Sequence, residues 1–371
     1  MKTRVKAKDL TKAITTVLAV HAFGDSNDDR QPCCLTATED SLVVESAKMG
    51  AYVVKRIPGK LLRAGSCGVN AKDLAGMKLQ GDVTIDAGSA EIKIQDKRTK
   101  YVWAQDNNAA SDVKEQQNTT TTVKPTAKLP TLVMKAGAKF ATYKSEIKGD
   151  YDVQLTFDNQ YFEYCGLDHL SYGRYEIKST AIKAKKASHF ILGQSLLAKV
   201  IKEVDGDAIM IGGSEDGSLV RLSSGDLDLF HPTVDKQYMS TQDAITQATS
   251  GELACRFTIE GRELKDALDR VAPVGKKAAE AEMEFSISSK GQIKLRQLAV
   301  ANAAESLIKT KDVTTEGALS IPIRAQYLKE FVKVAPTSMP LTVESWDQKF
   351  LRITVKEDPA IIDYLAMMLA E

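Results

Sequence analysis

One unit recurs about six times along this chain: a short strand, a helix with a single apolar stripe, then a meander of strands whose apolar residues alternate. The last third shows it most clearly. CRFTIEGRELKDALDRVAPVG reads as a strand and then a helix whose Leu264, Ala267, Leu268 and Val271 share one face, because residues three and four apart lie together on a helix. AEMEFSISS, GQIKLRQL and AESLIKTKDV follow as strands, with Met283, Phe285 and Ile287 alternating in the first. The pattern restarts with strand GALSIP, helix IRAQYLKEFVKVAP, a hairpin of PLTVESW and KFLRITVKE around Asp347-Gln348, and the closing strand DYLAMML. The first third runs through the order twice, with helices AKDLTKAITTVLAV and NAKDLAGMKL. In the middle third, strand TLVMKAG leads to helix AKFATYKSEIKG and strand HFILG to helix QSLLAKVIKEVDG. Such a repeat confines the chain to an α+β architecture of duplicated β-α-β-β-β units, with helices on one face and sheets on the other.

Two polar stretches cut the repeat into segments of similar size. Residues 105–130 are Thr-rich and nearly free of large apolar side chains, which predicts a linker that cannot offset the entropy of ordering. Residues 233–252 are a milder case. The resulting boundaries are 1–110, 131–234 and 253–371, with linkers at 111–130 and 235–252. At 371 residues, three domains are a reasonable division of the chain.

Charge does not assign a partner class. Fifty Lys and Arg against 49 Asp and Glu leave a formal net charge of +1, so any basic surface must be local. Five scattered cysteines without a C-x-x-C pair suit free thiols in a reducing compartment. No apolar run is long enough for a membrane span, and the N-terminus lacks the apolar core of a secretory signal; a cytoplasmic protein is expected.

The outer faces of the helices carry more information. Opposite Leu10, Ile14 and Val17 stand Lys8 and Lys12; opposite Leu74 and Met77 stands Lys72; opposite Leu196, Val200 and Val204 stand Lys199 and Lys202, with no acid between them. The third helix sets Lys148 and Ser145 away from Phe140, Tyr143 and Ile147. The fifth mixes Arg262 and Arg270 with Asp266 and Asp269, and the sixth places Lys333 beside Glu330. Lysine faces of this kind bind phosphates through counterion release without reading bases, which is what holding a duplex irrespective of sequence requires.

Catalytic signatures do not emerge. GGSEDGS at 212–218 sits between two strands and reads as a hairpin turn, because no helix follows to cradle a phosphate. GSCG at 65–68 lacks a nucleophile-elbow pattern. His21, His169, His189 and His231 fall in separate elements without metal-ligand spacing, and GDSNDDR at 24–30 lacks the ordered ligands of a calcium loop. No catalytic residue, metal or cofactor is expected.

The layout resembles the bacterial-type DNA sliding clamp, the β subunit of the replicative polymerase. The stretches that carry the resemblance are FTIEGRELKDALDRV, SIPIRAQYLKEFVKVAP with LRITVKED, the tail DYLAMMLAE, and LTKAITTVLAV followed by Arg30-Gln31-Pro32. The resemblance implies three clamp domains in a head-to-tail homodimeric ring around double-stranded DNA, tethering a polymerase and met by a clamp loader. It adds Arg30 to the DNA-facing set. It also implies a partner-peptide groove, one wall formed by Leu365, Met367, Met368 and Leu369 and the other by Leu167, Asp168, His169, Leu170, Tyr172 and Arg174. LDHLSYGRY departs from the family's Thr-Asp-Gly-His-Arg-Leu run, which points to a divergent clamp of the kind a phage or mobile element carries. Two other readings fit the same repeat: a clamp-like scaffold in transcription or repair, and a β-rich structural assembly protein that does not encircle DNA.

Overall fold

The structure, a computed structural model, describes residues 1–22, 31–120, 123–140, 152–167, 171–236, 240–271, 282–298, 303–315, 317–347 and 349–367. Among them are eight helices: α1 (Ala7–Leu18), α2 (Ala71–Ala75), α3 (Asn107–Thr120), α4 (Thr131–Phe140), α5 (Gln194–Lys202), α6 (Thr241–Ala248), α7 (Gly261–Val271) and α8 (Ala325–Val334). The chain divides into two compact units, Met1–Lys135 with Ala181–Asp235, and Ala136–Thr180 with Lys236–Glu371.

Unit 1 holds two antiparallel sheets. The smaller runs Lys60–Arg63, Lys2–Lys6, Asp82–Ala87, Glu91–Gln95, Lys100–Ala104. The larger runs Lys183–Ala184, Ala127–Pro130, Ala208–Gly213, Leu219–Ser224, Leu227–Pro232, Ala51–Pro58, Ser41–Lys48, Pro32–Ala37, Gly65–Asn70. Strand Ala51–Pro58 is covered on both sides. Since successive side chains point to opposite faces, Tyr52 and Val54 pack with Val113 of α3, while Ala51 and Val53 are buried on the other face. α1 packs on this strand and buries Leu10, Ala13, Ile14 and Val17, the stripe that its sequence spacing predicts. α5 buries Leu196, Leu197, Val200 and Ile201 in the same way.

In unit 2 one antiparallel sheet includes, in order, Asp152–Asp158, Tyr161–Leu167, Ser171–Lys178, Ala360–Met367, Phe350–Glu357, Pro340–Trp346, Leu253–Glu260 and Thr310–Thr315. A second runs Ala303–Ile308, Ile293–Leu298, Glu282–Ile287, Leu319–Arg324. α7 lies on Ala303–Ile308 and Leu253–Glu260 and buries all four of Leu264, Ala267, Leu268 and Val271. Phe257 and Phe285 meet edge to face, their centroids 5.7 Å apart. α8 buries Leu328, Phe331 and Val332, and Phe331 lies against Tyr364.

Four expectations need correction. TLVMKAG, expected as a strand, begins α4: Thr131, Met134 and Ala138 are buried at helical spacing while Leu132 is exposed. A run of four consecutive residues with three apolar ones fits either period, so the sequence does not separate them. The helix face expected from Phe140, Tyr143 and Ile147 falls almost wholly outside the described residues. The polar stretch 105–130, expected to join no core, contains α3, which is held by Ala109 and Val113 one turn apart. The second stretch contains α6, with Thr241, Ile245 and Ala248 buried. In α2 the helix stops at Ala75, so Met77 is only partly buried.

Candidate functional site

In unit 1, α1 packs against both α2 and α5, so the lysines singled out on these three helices belong to adjoining elements. Lys8, Lys72, Lys199 and Lys202 are exposed. Lys8, Lys199 and Lys202 have no ion-pair partner among the described residues, and Lys72 follows Asn70, whose side chain caps α2. Lys12 differs. Its Nζ lies 2.6 Å from Asp205 Oδ2, just beyond the end of α5. That hydrogen bond is the main cause that raises the Lys12 pKa and lowers that of Asp205. Asp205 also lies 3.9 Å from the buried Lys55, whose own partner is Asp226 at 2.7 Å. Asp205 therefore already neutralises charge on a face expected to offer it.

In unit 2, α7 and α8 are in contact. Arg262 is highly exposed and 4.0 Å from Asp266, one turn on; Arg270 is 3.7 Å from Glu263 and donates to Ser306 Oγ. Lys333 is exposed. Lys329, one turn before it on α8, is half-buried, and its pKa falls through burial first and the charge of Lys333 second. Sequence reading missed Lys329, although its four-residue spacing from Lys333 was there to find. Arg30 and Lys148 lie outside the described residues.

The second predicted surface is also in unit 2. Tyr172 stands opposite Leu365 in the antiparallel register of Ser171–Lys178 and Ala360–Met367, and Leu167 stands opposite Tyr172 on the other side. Tyr172 and Leu365 pack with Cys165, Ile245 and Ala248, with Phe350 at the margin. Ile245 and Ala248 come from α6, the segment expected as a linker. Their signal in the sequence is the Thr241, Ile245, Ala248 spacing behind Ser240, whose hydroxyl accepts from the Asp243 amide as a helix cap. The Tyr172 hydroxyl is buried without a hydrogen-bond partner among the described residues, and burial pushes its pKa up. Met367 stands opposite Phe350 at the end of its strand. His169, Leu170, Met368 and Leu369 lie outside the described residues, as does Asp168.

Arg174, expected on the groove wall, lies beneath it, 4% exposed. Its guanidinium donates through Nε and Nη2 to Asp363 and sits 3.0 Å from Glu176 and 3.3 Å from Glu163. Arg352 and the Thr354 hydroxyl complete Asp363, and the Thr241 hydroxyl donates to Glu163. A buried charge of this kind persists because several partners satisfy it, and here the partners tie α6 to the strand bearing Leu365.

Elsewhere the titratable groups are structural. All five cysteines are buried free thiols; burial raises every one, Cys67 to about 12 and Cys255 to about 11, which suppresses the thiolate. Asp216 folds the 212–218 turn back on itself by accepting from the hydroxyls of Ser214 and Ser218, and these bonds, Ser214 first, hold it down to about 2. His231 is buried beside the carbonyls of Pro232 and Gly193. Among the described residues, no group of three His, Cys, Asp or Glu side chains is placed to hold a metal ion, and no helix is long and apolar enough to cross a membrane.

No protein-family model matches the chain, and no curated protein does. Solved structures do. A putative DNA polymerase III beta subunit from Eubacterium rectale superposes with a TM-score of 0.82 at 14% identity, covering 100% of both chains. The DNA polymerase sliding clamp of Bacillus subtilis gives 0.81 at 13% identity, covering 100% of this chain and 99% of its own. The Helicobacter pylori beta clamp bound to a DNA ligase peptide gives 0.76 at 14%, again over 100% of both. Along its whole length, this chain carries the fold of the bacterial DNA sliding clamp.

Proposed function

We propose that this protein is a sliding clamp: a non-catalytic ring of two copies that encircles duplex DNA and tethers a polymerase and other partners through short peptides. The observation that carries this reading is the set of exposed lysines on three adjoining helices of unit 1, Lys8, Lys72, Lys199 and Lys202, on a fold shared with sliding clamps over its full length. Phosphate contacts of this sort are individually weak and exchange quickly, so residence must come from topology. The three clamp domains are 1–110, 131–234 and 253–371. The peptide site includes the apolar cluster of Tyr172 and Leu365, to which α6 contributes Ile245 and Ala248. Closure pairs two sheet edges from different copies, Lys100–Ala104 and Ala303–Ile308. Each ends its sheet and exposes an apolar side chain, Val102 at 48% and Leu307 at 57%.

The deciding experiment loads the protein on nicked circular DNA with a clamp loader and then linearises the circle. Retention on the circle and loss from the linear form are expected. Salt-sensitive binding that ignores topology would favour the scaffold reading, to which the pairing of Lys12 with Asp205 and of Arg262 with Asp266 lends some weight because it thins the positive field.

A further inference from the structure

The larger sheet of unit 1 ends at the short strand Lys183–Ala184, which pairs antiparallel with Ala127–Pro130. Lys183 stands directly opposite Lys128, and the Lys185 amide donates to the Thr126 carbonyl at 2.9 Å, so the pairing continues past the strand. Directly opposed residues share a face, and so do residues two apart, which sets Lys128, Lys183 and Lys185 on one side of the two-stranded ribbon. Lys124 and Lys186 flank them. All five are exposed, none has an ion-pair partner among the described residues, and neither 123–130 nor 181–190 contains an Asp or Glu. Like charges directly opposite each other destabilise a strand pair, so the folded chain bears a cost for this arrangement.

Lysines on a sheet edge also discourage edge-to-edge pairing. The repeat supplies the control for that reading. Lys60–Arg63 and Thr310–Thr315 likewise end their sheets, paired with Lys2–Lys6 and Leu253–Glu260. There Arg63 lies 3.0 Å from Asp86, and Lys311 lies 3.7 Å from Glu260. Among the described residues, the middle copy is the one whose cations all lack an acid. It also faces away from α5. Leu129 stands opposite Ile209, which lines a small cavity with Val200 and Ile201 of α5, and Lys128, one residue earlier, points to the other side of the sheet. A duplex held by Lys199 and Lys202 does not reach it.

The chemistry of the ribbon selects its partner. The side chains between the lysines, Thr126, Ala184 and Ala187, are too small to form the apolar pocket that anchors a protein partner, and no Arg is present to fork onto a carboxylate. Neither 123–130 nor 181–188 holds an aromatic residue on which the bases of a single strand could stack. Point charges on a flat ribbon suit closely spaced phosphates, and duplex DNA carries these at high density, one per about 1.7 Å of axis. We propose that this lysine ribbon is a second contact for the backbone of double-stranded DNA, independent of base sequence and separate from the lysines of α1, α2 and α5. The site does not depend on ring closure.

The test is lysine footprinting of the full-length protein: brief acetylation at low salt, with and without a short linear duplex, read lysine by lysine by mass spectrometry. With duplex at about four times its binding midpoint, acetylation of Lys128, Lys183 and Lys185 should fall about fivefold, to the share of protein left unbound. Lys97 and Lys290, exposed elsewhere, should react as before. Lys183→Glu puts an acid opposite Lys128, so its urea midpoint should equal or exceed that of the wild type, yet protection of Lys128 and Lys185 should be lost whatever happens at Lys199. A single strand of the same length should protect the three less than the duplex does. Four outcomes would each overturn the proposal: unchanged acetylation of the three with duplex, equal protection of Lys97 and Lys290, protection that survives Lys183→Glu, or stronger protection by the single strand.

Discussion

The side chain that departs most from its expected role is Lys12, which has an internal partner where a phosphate contact was anticipated. Its pair with Asp205 is solvent-exposed, 36% for the lysine and 63% for the aspartate, so its net worth to stability is within about 1 kcal/mol. Its cost to DNA binding is larger in principle, because a paired lysine releases no counterion. Asp205→Asn should therefore raise affinity for duplex DNA and steepen the slope of log affinity against log salt by about 0.9, the contribution of one phosphate contact. An unchanged slope would mean that Lys12 does not face DNA. Glu45 makes the complementary case. Burial raises its carboxyl above the unfolded value of about 4.3. A carboxyl whose folded pKa is raised contributes stability that is present below the unfolded value and lost as pH rises through the folded one. Glu45→Gln keeps an acceptor for Tyr52 and removes the buried charge, so its stability relative to wild type should be lowest in acid, rise with pH above about 4.3, and level off once the wild-type carboxylate has formed. Urea midpoints across that range would show it, and a difference independent of pH would contradict it.

Among the elements, most of the helices that the sequence revealed have a full apolar stripe, the short α2 being the exception. α1, α5, α7 and α8 each bury three or more large side chains at helical spacing, so the period alone identifies them. α3 and α6 escaped notice because their anchors are few and mostly small: Ala109 and Val113 in the first, Ile245 and Ala248 in the second. Their windows are polar on average, and only the sheet surface beneath them makes a pair of anchors sufficient, a tertiary effect that composition does not register. The proposed peptide site was partly legible for the same reason. Tyr172 and Leu365 follow from the family-like tail and middle strand, but the contribution of α6 and the burial of Arg174 depend on which carboxylates converge from distant strands. α3 offers a direct check. Val113 is 1% exposed against Tyr52 and Cys34, and Val113→Asp places a charge there. The helix should lift, and Cys34, 1% exposed in the intact protein, should react with a small maleimide many times faster while the fold persists by far-ultraviolet circular dichroism. Unchanged Cys34 reactivity would show that α3 does not shield the sheet.

For the molecule as a whole, the proposal assigns two mechanisms of holding DNA to different elements, so they can be tested separately. In the proposed ring, electrostatic grip would come from the lysines of α1, α2 and α5, and topological grip from closure through the edge strands Lys100–Ala104 and Ala303–Ile308. Val102→Asp adds a charge to an exposed apolar position of an edge strand, where it costs the isolated chain little but opposes burial in an interface. It should yield a monomer by sedimentation and lose retention on circular DNA at any salt. The triple variant Lys8→Ala, Lys199→Ala, Lys202→Ala should do the opposite: dimer mass and retention on a closed circle at high salt are preserved, while weak binding to linear duplex falls and its salt slope drops by about 2.7, three contacts at 0.9 each. A ring that depended on charge alone would show both variants failing together on the circle. A chain with a net charge of only +1 is suited to the proposed topological arrangement, in which weak local contacts would let the protein slide while closure would prevent escape.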